Sequence, residues 1–435
     1  MKKLDFLLMC EQKQRELEPH CLLMYELRRR GYSVDVATMQ DAQGKFGTVY
    51  DTEVFVVPGM HYRNHPTFFA GNAVKFKKLI ETPTEQIESE VGFRSLEREH
   101  FGSVTKITAW GEIPKERIIQ RFHVDPKRIA ICGHPAMDFC FPRFAKYFDD
   151  RETIAHRYDL DPEKQWNLMI ASFTAACRDR SDSVEADKHD PVGKMFNQRW
   201  WDLDHQSQKP ILDWFEKLLK VSNDQIIIYR PHPGEIISPR VYELEKSYHN
   251  FRIIREGAVI QWIHAADRLY TWVSTSAVQA HFAQKPFHIL RPVKIDSDME
   301  MEIFKHCDHF ITDFDEFKQS VLEDTVPNHL SGEQLKKFYA NEADPYTYIK
   351  LADLCENVYN DPDYTVPDDV QAEIRQCHKD FYGNYPLHTK MINFALGRPF
   401  SYYLFRNIFT KNTLDNFIHK QELIEIERRL KRCLG

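Results

Sequence analysis

The stretch Ile226–Glu235, IIIYRPHPGE, combines a buried strand with a loop that carries an arginine and a histidine side chain. Three isoleucines and a tyrosine predict a strand that is buried on both faces, as in a parallel sheet. The strand ends abruptly in the sequence RPHP, which comprises Arg230, Pro231, His232 and Pro233. Because proline fixes φ and lacks an N–H group, the two prolines stiffen the backbone on both sides of His232.

The position of RPHP favours ligand binding over a simple change of direction. In open α/β sheets, ligands bind outside the carboxyl ends of the strands, where this tetrapeptide is expected. We therefore predict that Arg230, His232 and the adjoining Pro233 hold the phosphate of a nucleotide-linked donor. The alternative is a rigid loop in which His232 caps or packs locally.

The composition indicates a soluble globular protein of more than one domain. The 435 residues are too many for one ordinary core and predict two domains of roughly 150 to 200 residues and a tail. Hydrophobic residues make up 42% of the chain and charged residues 28%, with a formal net charge of −7. The chain lacks the global basic field of a nucleic-acid binder, so nucleic acid is not an expected partner.

Cysteine usage and the N-terminus predict a cytoplasmic location. The nine cysteines form no CxxC pair and show no regular spacing, which favours reduced thiols over a disulfide framework or a zinc site. The N-terminal segment becomes charged after Cys10 and lacks a small-residue cleavage site, so we expect a first strand and not a signal peptide. No apolar run reaches the roughly 18 residues of a membrane helix.

The first half of the chain shows a strand–helix–strand order, which predicts a parallel sheet. The predicted strands are Leu4–Met9, Ser33–Thr38 and Val54–Val57. The helix between the first two covers Glu11–Arg30, and Gly31 stands where a left-handed cap is expected.

Charged residues follow the first strand and recur on a later loop. We expect Glu11, Lys13, Arg15 and Glu16 to lie at or near the carboxyl edge of the sheet and to face an interdomain cleft; the alternative is an ordinary solvated helical turn. The loop Thr82–Gly92 carries Glu90 ahead of its glycine. A carboxylate there is a reasonable general base, since partial desolvation raises its pKa.

The middle of the chain suggests a domain boundary. Strands are predicted at Val104–Trp110 and Arg128–Cys132, and the second is followed by another His-Pro pair at His134. The sequence then becomes charged and aperiodic. We therefore predict an N-terminal acceptor-side domain, residues 1–155, and a donor-binding domain, residues 156–370.

A second candidate phosphate contact follows the strand predicted at Arg268–Val273. Ser274, Thr275 and Ser276 occupy the N-cap region of a helix, where N–H groups and the macrodipole attract an anion and hydroxyl groups add donors. Because this junction and RPHP belong to one predicted sheet, we expect both to contact one phosphate. The alternative is that these residues only start a helix.

The tail, residues 371–435, is predicted to be helical. Its last segment, Leu414–Leu434, has an apolar side and basic residues near its end. Two interpretations stay open. The segment packs back across the first domain, or it lies on the anionic inner membrane.

The order of these motifs resembles the bacterial surface carbohydrate biosynthesis proteins. It also resembles, more distantly, the transferases that use CMP-activated sugars, including polysialyltransferases and Kdo transferases of capsule assembly. The motifs are, in order, EQKQREL at 11–17, an acid before Gly92, WGE at 110–112, GHPAMDF at 133–139, RPHP at 230–233, REGAVIQWIHAAD at 255–267 and STS at 274–276.

This resemblance implies a GT-B fold: two doubly wound parallel-sheet α/β domains that face a cleft, here with a helical C-terminal tail. It assigns Glu90 as general base and His232 as the contact to the donor phosphate. The STS residues would help to hold the CMP leaving group. Because Val91 stands where relatives have a second acid, Glu112 is an alternative base.

Two further carboxylate assignments stay open in the same way. Glu88 is another candidate base. If the reaction retains configuration, as in some Kdo transferases, Asp179 or Asp182 is the candidate nucleophile.

The implied activity is that of a glycosyltransferase. It would move a nonulosonic or ulosonic acid (sialic, pseudaminic or legionaminic acid, or Kdo) from a CMP donor to a glycan or glycolipid acceptor of the bacterial surface. No metal or other cofactor is expected, because such donors carry one phosphate. The alternatives are a UDP-sugar 2-epimerase, a CDP-polyol phosphotransferase and a non-catalytic partner in capsule assembly.

Overall fold

The computed structural model describes residues 2–38, 50–58, 74–84, 86, 87, 89, 106–180, 191–326, 330, 332–372, 376 and 417–435. The chain divides into two compact units. The first unit comprises Met1–Gln86, Leu96–Asp138 and Lys337–Gly435, and the second comprises Ile87–Ser95 and Phe139–Lys336. Helices and strands are numbered below in chain order within the described residues.

The first unit is built on a six-stranded parallel sheet with the strand order β2-β1-β3-β4-β5-β6. Its strands are β1 (Lys2–Cys10), β2 (Val34–Thr38), β3 (Tyr50–Val57), β4 (Val74–Glu81), β5 (Lys106–Ala109) and β6 (Ile129–Ile131). Its α-helices are α1 (Lys13–Arg29), α2 (Glu112–Phe122), α10 (Thr347–Asn360) and α11 (Lys420–Leu434).

The second unit contains a five-stranded parallel sheet with the strand order β11-β10-β7-β8-β9. Its strands are β7 (Gln165–Ile170), β8 (Gln225–Arg230), β9 (Phe251–Ile253), β10 (Arg268–Thr271) and β11 (Phe287–Ile289). Its α-helices are α3 (Arg151–Tyr158), α4 (Pro191–Val221), α5 (Pro239–Ser247), α6 (Val259–Ala265), α7 (Ser276–Phe282) and α8 (Phe314–Leu322).

Several shorter elements complete the two units. Helix α9 (Gly332–Phe338) includes the point at which the chain passes from the second unit to the first. The 3₁₀ helices are Pro126–Arg128, Pro135–Cys140, Pro142–Tyr147, Glu302–His306 and Pro362–Tyr364.

The predicted fold class is confirmed in its two α/β domains, each built on a parallel sheet. In the first sheet, Phe6 on β1 is opposite Val34 on one side and Val54 on the other, and Phe6 is fully buried. In the second sheet, β8 lies between β7 and β9, and its apolar residues are buried as the run of isoleucines predicts. Strands covered on both faces need such continuous apolar runs.

The division into units differs from the sequence-based boundaries at residues 155 and 370. The chain returns to the first unit at Lys337, where the sequence shows no change of composition. After this return, α10 packs on α1. The buried ammonium group of Lys78 on β4 also donates to the carbonyl oxygens of Val358 (2.9 Å) and Tyr359 (2.5 Å).

The end of α1 follows the prediction. Gly31 has a φ of 97°, a left-handed conformation that glycine adopts at little cost. Its N–H donates to the carbonyl of Arg28, and the N–H of Tyr32 donates to the carbonyl of Leu27. This pattern of bonds ends the helix as expected for a glycine cap.

The C-terminal helix α11 packs against α1, so packing within the first unit accounts for its apolar side. Ile426 and Leu430 of α11 are buried. Lys13 on α1 donates to the carbonyl of Phe417 at 2.9 Å and pairs with Glu422 at 3.1 Å. Among the residues that the structure describes, no helix combines the length and apolar character that a membrane crossing requires.

Gly111 is predicted to be intolerant of a side chain. A Cβ at this position would meet the backbone carbonyl oxygen of Lys337 at 2.4 Å and that of Phe338 at 2.6 Å. Because backbone cannot move aside cheaply, we expect Gly111→Ala to lower the free energy of unfolding by about 2 kcal/mol, as measured by urea denaturation.

Gly332 provides the matched control for this measurement. The nearest atom to a Cβ there belongs to the flexible ring of His281, at 4.0 Å. Gly332→Ala should therefore leave stability unchanged or raise it by less than about 1 kcal/mol. Equal stability of the two variants would contradict the proposed contact.

Candidate functional site

The RPHP loop follows the carboxyl end of β8 in the second unit, as predicted. His232, Pro233 and Gly234 are exposed, whereas Glu235 is buried with 4% of its surface accessible. The loop therefore presents its imidazole at the sheet edge and holds its carboxyl group inside.

The backbone N–H groups of this loop are all used within the loop. The prolines supply none, which leaves three donors. The His232 N–H donates to Oε2 of Glu235 (3.2 Å), the Gly234 N–H to Nδ1 of His232 (3.1 Å), and the Glu235 N–H to the carbonyl of His232 (2.9 Å). An anion bound here would have to be contacted by side chains.

The bond from Gly234 determines the tautomer of His232. Because Nδ1 accepts an N–H, it carries no proton in this arrangement. The neutral ring then has its proton on Nε2, which is a hydrogen-bond donor. Such a ring suits contact with a phosphate oxygen and does not act as a base through Nε2.

Arg230, which is predicted to contact the phosphate, donates to backbone carbonyl groups of the segment after β9. Its guanidinium group donates to the carbonyl oxygen of Glu256 at 2.7 Å and to that of Gly257. Burial lowers the pKa of Arg230 to about 10, against the opposing influence of Tyr158 and Glu256. The side chain therefore stays cationic at neutral pH. Its two hydrogen bonds hold the segment after β9 next to the RPHP loop.

The STS residues lie at the start of α7, as the sequence predicts. Ser274 and Thr275 are half-buried, and Ser276 is buried. The Ser274 hydroxyl oxygen accepts the Ser276 N–H at 3.2 Å, and the Thr275 carbonyl accepts the Val278 N–H at 2.9 Å. The N–H groups of Ser276 and Val278 are thus already bonded within the turn, and the partly exposed residues are Ser274 and Thr275.

The RPHP and STS residues share one edge of the second sheet. They follow β8 and β10, which lie on the two sides of β7. Two strand spacings amount to about 10 Å. A phosphate placed over the end of β7 is therefore approached by one set of residues from each side. Asp179, the candidate nucleophile, is exposed in the segment that follows β7.

Of the carboxylates predicted as candidate bases, only Glu112 lies within the described residues. Glu90 lies outside them, as do Glu88 and Asp182. Glu112 is in the first turn of α2, with 65% of its side chain exposed and the Lys115 ammonium at 3.9 Å.

The charged group after β1 contains a buried pair of acids. Glu11 is buried, and its N–H donates to Oε2 of Glu16 at 2.6 Å. The Arg15 guanidinium is 4.0 Å from Glu11 and 3.9 Å from Glu16. Burial and the charge of Glu11 raise the pKa of Glu16 to about 8, against the effect of Arg15. Lys13 pairs with Glu422 of α11 at 3.1 Å.

The second His-Pro loop repeats the turn of the first. Nδ1 of His134 accepts the Ala136 N–H at 3.1 Å, and its carbonyl accepts the Met137 N–H at 3.0 Å. The His134 N–H donates to Oδ1 of Asn341 at 2.9 Å. Burial and the charge of Arg15 lower the pKa of His134 to about 3, so the ring is neutral at neutral pH.

One site residue, Glu235, was not assigned a role from the sequence. Glu235 ends the opening stretch three residues after His232, the spacing at which a glutamate reaches back to a backbone N–H in a capping box. That spacing was an available signal. Glu16 was expected at the sheet edge with its charged neighbours, but its raised pKa depends on burial beside Glu11, which the sequence does not show.

Comparisons with known proteins show structural similarity only. No protein-family model matches the sequence, and no curated protein matches it. The wall teichoic acid polymerase TagF, soaked with CDPG, has 10% identity and a TM-score of 0.49, covering 81% of this chain and 88% of its own.

Two further solved structures, both with bound UDP, are similar at equally low sequence identity. The Methanocaldococcus jannaschii UDP-GlcNAc 2-epimerase, in complex with UDP-GlcNAc and UDP, has 11% identity and a TM-score of 0.48, with coverage of 82% and 100%. S. aureus MnaA with UDP has 14% identity and a TM-score of 0.43, with coverage of 74% and 89%. All three TM-scores lie below 0.5, and these similarities carry no argument for an activity of this chain.

Glu16 is predicted to make stability depend on pH. Its pKa is raised in the folded state, so its stabilising contribution is complete below the unfolded value near 4.5 and is lost as the pH rises through about 8. Glu16→Gln removes this loss. From acidic to alkaline pH, the variant should gain on the order of a few kcal/mol of unfolding free energy relative to wild type.

The measurement is urea denaturation across this pH range. Glu116→Gln is the control, because Glu116 is exposed on α2. The account fails if the pH profiles of Glu16→Gln and wild type are parallel.

Proposed function

We propose that this chain is a glycosyltransferase that moves a nonulosonic or ulosonic acid from a CMP donor to a bacterial surface glycan. The observation that carries the proposal is the exposed imidazole of His232 at the carboxyl edge of the second sheet, with Nδ1 occupied by the Gly234 N–H. This arrangement makes Nε2 a donor towards a phosphate. The motif order of the sequence supports the choice of a CMP-linked sugar.

The chemistry requires stabilisation of a departing phosphate. In the proposed reaction, an acceptor hydroxyl attacks the anomeric carbon, the bond from that carbon to the phosphate oxygen breaks, and the electron pair leaves with CMP. Donors placed where this charge develops lower the barrier. His232 supplies one donor, and the hydroxyl groups of Ser274 and Thr275 approach from the other side of β7.

Arg230 contributes to the same step indirectly. Its guanidinium group is bonded to the carbonyl oxygens of the segment after β9, so it acts through its charge and by fixing that segment. Charge at short range in a partly buried site still attracts an anion. In this proposal, His232 contacts the phosphate directly and Arg230 acts only through its charge and its bonds to the backbone.

The acceptor proton needs a carboxylate, since the His232 ring already carries its proton on Nε2. The proposal assigns this role to Glu90, with Glu112 as the alternative. It includes no metal ion, because a CMP-linked donor has one phosphate and no pyrophosphate bridge to neutralise.

The proposed setting is the cytoplasmic face of the inner membrane, where surface glycans are assembled. The basic end of α11 is the proposed contact with anionic lipid. Glu425 pairs with Arg428 and Arg429, and Glu427 pairs with Lys431, which reduces the positive charge that this helix offers to lipid. Membrane contact is therefore a secondary part of the proposal.

His232→Asn separates the two roles of the imidazole. The asparagine Oδ1 takes the place of Nδ1 and still accepts the Gly234 N–H, whereas the donor at Nε2 is lost. A hydrogen bond to a charged group is worth about 1.5–3 kcal/mol. We expect CMP to bind about 10-fold to 100-fold more weakly by isothermal titration calorimetry, with an unchanged Tm.

His249→Ala is the control, because His249 is an exposed histidine of the same unit. It should bind CMP as wild type does. Unchanged CMP affinity in His232→Asn would overturn the proposed contact. The same titration with CDP and UDP decides between the functions, since preference for UDP supports the epimerase and preference for CDP the polyol phosphotransferase.

A further inference from the structure

The carboxyl group of Glu235 joins three segments of the second unit. It accepts the Tyr229 hydroxyl at Oε1 (2.6 Å) from β8 and the His232 N–H at Oε2 (3.2 Å) from the RPHP loop. A backbone hydrogen bond from Phe173 connects it to the segment after β7. The group that holds the His232 backbone is therefore buried at the junction of two strand ends.

A second buried carboxyl group holds the same segment after β7. Asp204 on α4 is fully buried, and its Oδ2 accepts the Ala175 N–H at 2.7 Å. Ala176 provides a further backbone hydrogen bond. Oδ1 of Asp204 has no hydrogen-bond partner among the described residues. Glu235 and Asp204 thus accept different backbone hydrogen bonds from the same short segment, residues 173–176.

The two acids affect each other through their charges. Burial raises the pKa of Glu235 to about 7, although its hydrogen bonds with Tyr229 and the backbone oppose this change. Burial and the charge of Glu235 raise the pKa of Asp204 to about 7. The other groups facing the pair are Tyr229 from β8, Cys177 and Arg178 after β7, and Arg255 after β9.

We propose that Glu235 is a positioning residue: the strength of its hydrogen bond with the His232 N–H depends on the charge of the Glu235–Asp204 carboxyl pair. An ionised Glu235 accepts hydrogen bonds at both oxygens. When it is protonated, its own hydroxyl must donate, and of the three groups that contact it only the Tyr229 oxygen accepts a hydrogen bond. The His232 N–H then bonds to a neutral oxygen, a weaker contact than a charge-assisted one.

The second His-Pro loop is an internal comparison. His134 has the same turn, but its N–H is accepted by the neutral amide of Asn341. That acceptor does not titrate. The His232 N–H is therefore bonded to an acceptor whose charge can change, whereas the His134 N–H is bonded to an acceptor that stays neutral.

The test follows the backbone amide resonances of the histidines in protein labelled with ¹⁵N-histidine, from about pH 5 to about pH 9. The His232 amide should move with a midpoint near the pKa of Glu235, about 7. The His134 amide should show no step there. Glu235→Gln should remove the contribution of Glu235 to the His232 step, because its amide oxygen accepts the same N–H without titrating; a shift that remains comes from the His232 imidazole itself.

Two further variants complete the design. Glu243→Gln is the control, since Glu243 is exposed on α5, and it should keep the step. Asp204→Asn removes the neighbouring charge and should move the midpoint to lower pH, because the coupling of two titrating groups is reciprocal. The proposal is overturned if Glu235→Gln leaves the pH profile of the His232 amide unchanged, or if Asp204→Asn leaves its midpoint unmoved.

The effect of Glu235 on the pH profile of kcat/KM rests on the proposed function. The resonance measurement does not depend on that function. If a CMP-linked donor is turned over, Glu235→Gln should remove an ionisation near pH 7 from the kcat/KM profile, whereas Glu243→Gln should keep it. If no CMP-linked sugar reacts but the His232 step depends on Glu235, the proposed function fails and the positioning role stands.

Discussion

The hydrogen bond from the Gly234 N–H to Nδ1 of His232 is the contact on which the chemistry of the second unit depends. It places the ring proton of the neutral imidazole on Nε2 and so makes the exposed side of the ring a donor. It also consumes an N–H group that an anion would otherwise bind. Because the other two N–H groups of the loop are bonded to Glu235 and to the His232 carbonyl, only side chains remain for recognition.

Within the described residues, the same turn is found at His134 in the first unit and at His232 in the second, and its surroundings differ. His134 is half-buried, 4.3 Å from the ring of Trp110 between ring centres, and is held by an amide from a distant part of the chain. His232 is exposed and is held by a carboxyl group of its own loop. A His-Pro pair thus determines the local geometry, whereas the neighbouring side chains determine whether the ring is sheltered or presented.

Features with a local cause could be predicted from the sequence. The isoleucine run of β8, the glycine cap at Gly31 and the helix start at Ser276 depend on residues within a few positions, and the structure has all three. Helix α4 begins at Pro191 and accommodates Pro210 within it, whereas proline usually stands in the first turn of a helix.

Features that depend on distant residues could not be predicted. The return of the chain to the first unit at Lys337 depends on how α10 packs against α1. The bonding of Arg230 depends on carbonyl groups some 26 residues away, and the acidity of Glu16 and Glu235 depends on burial. Sequence patterns identify residue types at a sheet edge but do not show which of them are already bonded.

The central claim is that His232 presents an Nε2–H donor to the phosphate of the bound nucleotide. Long-range ¹H–¹⁵N correlation spectra of the histidine side chains, recorded without and with CMP, test it most directly. The account predicts that neutral His232 carries its proton on Nε2 and that only this nitrogen and its proton shift when CMP binds. A proton on Nδ1, or a His232 ring unaffected by saturating CMP, would contradict it.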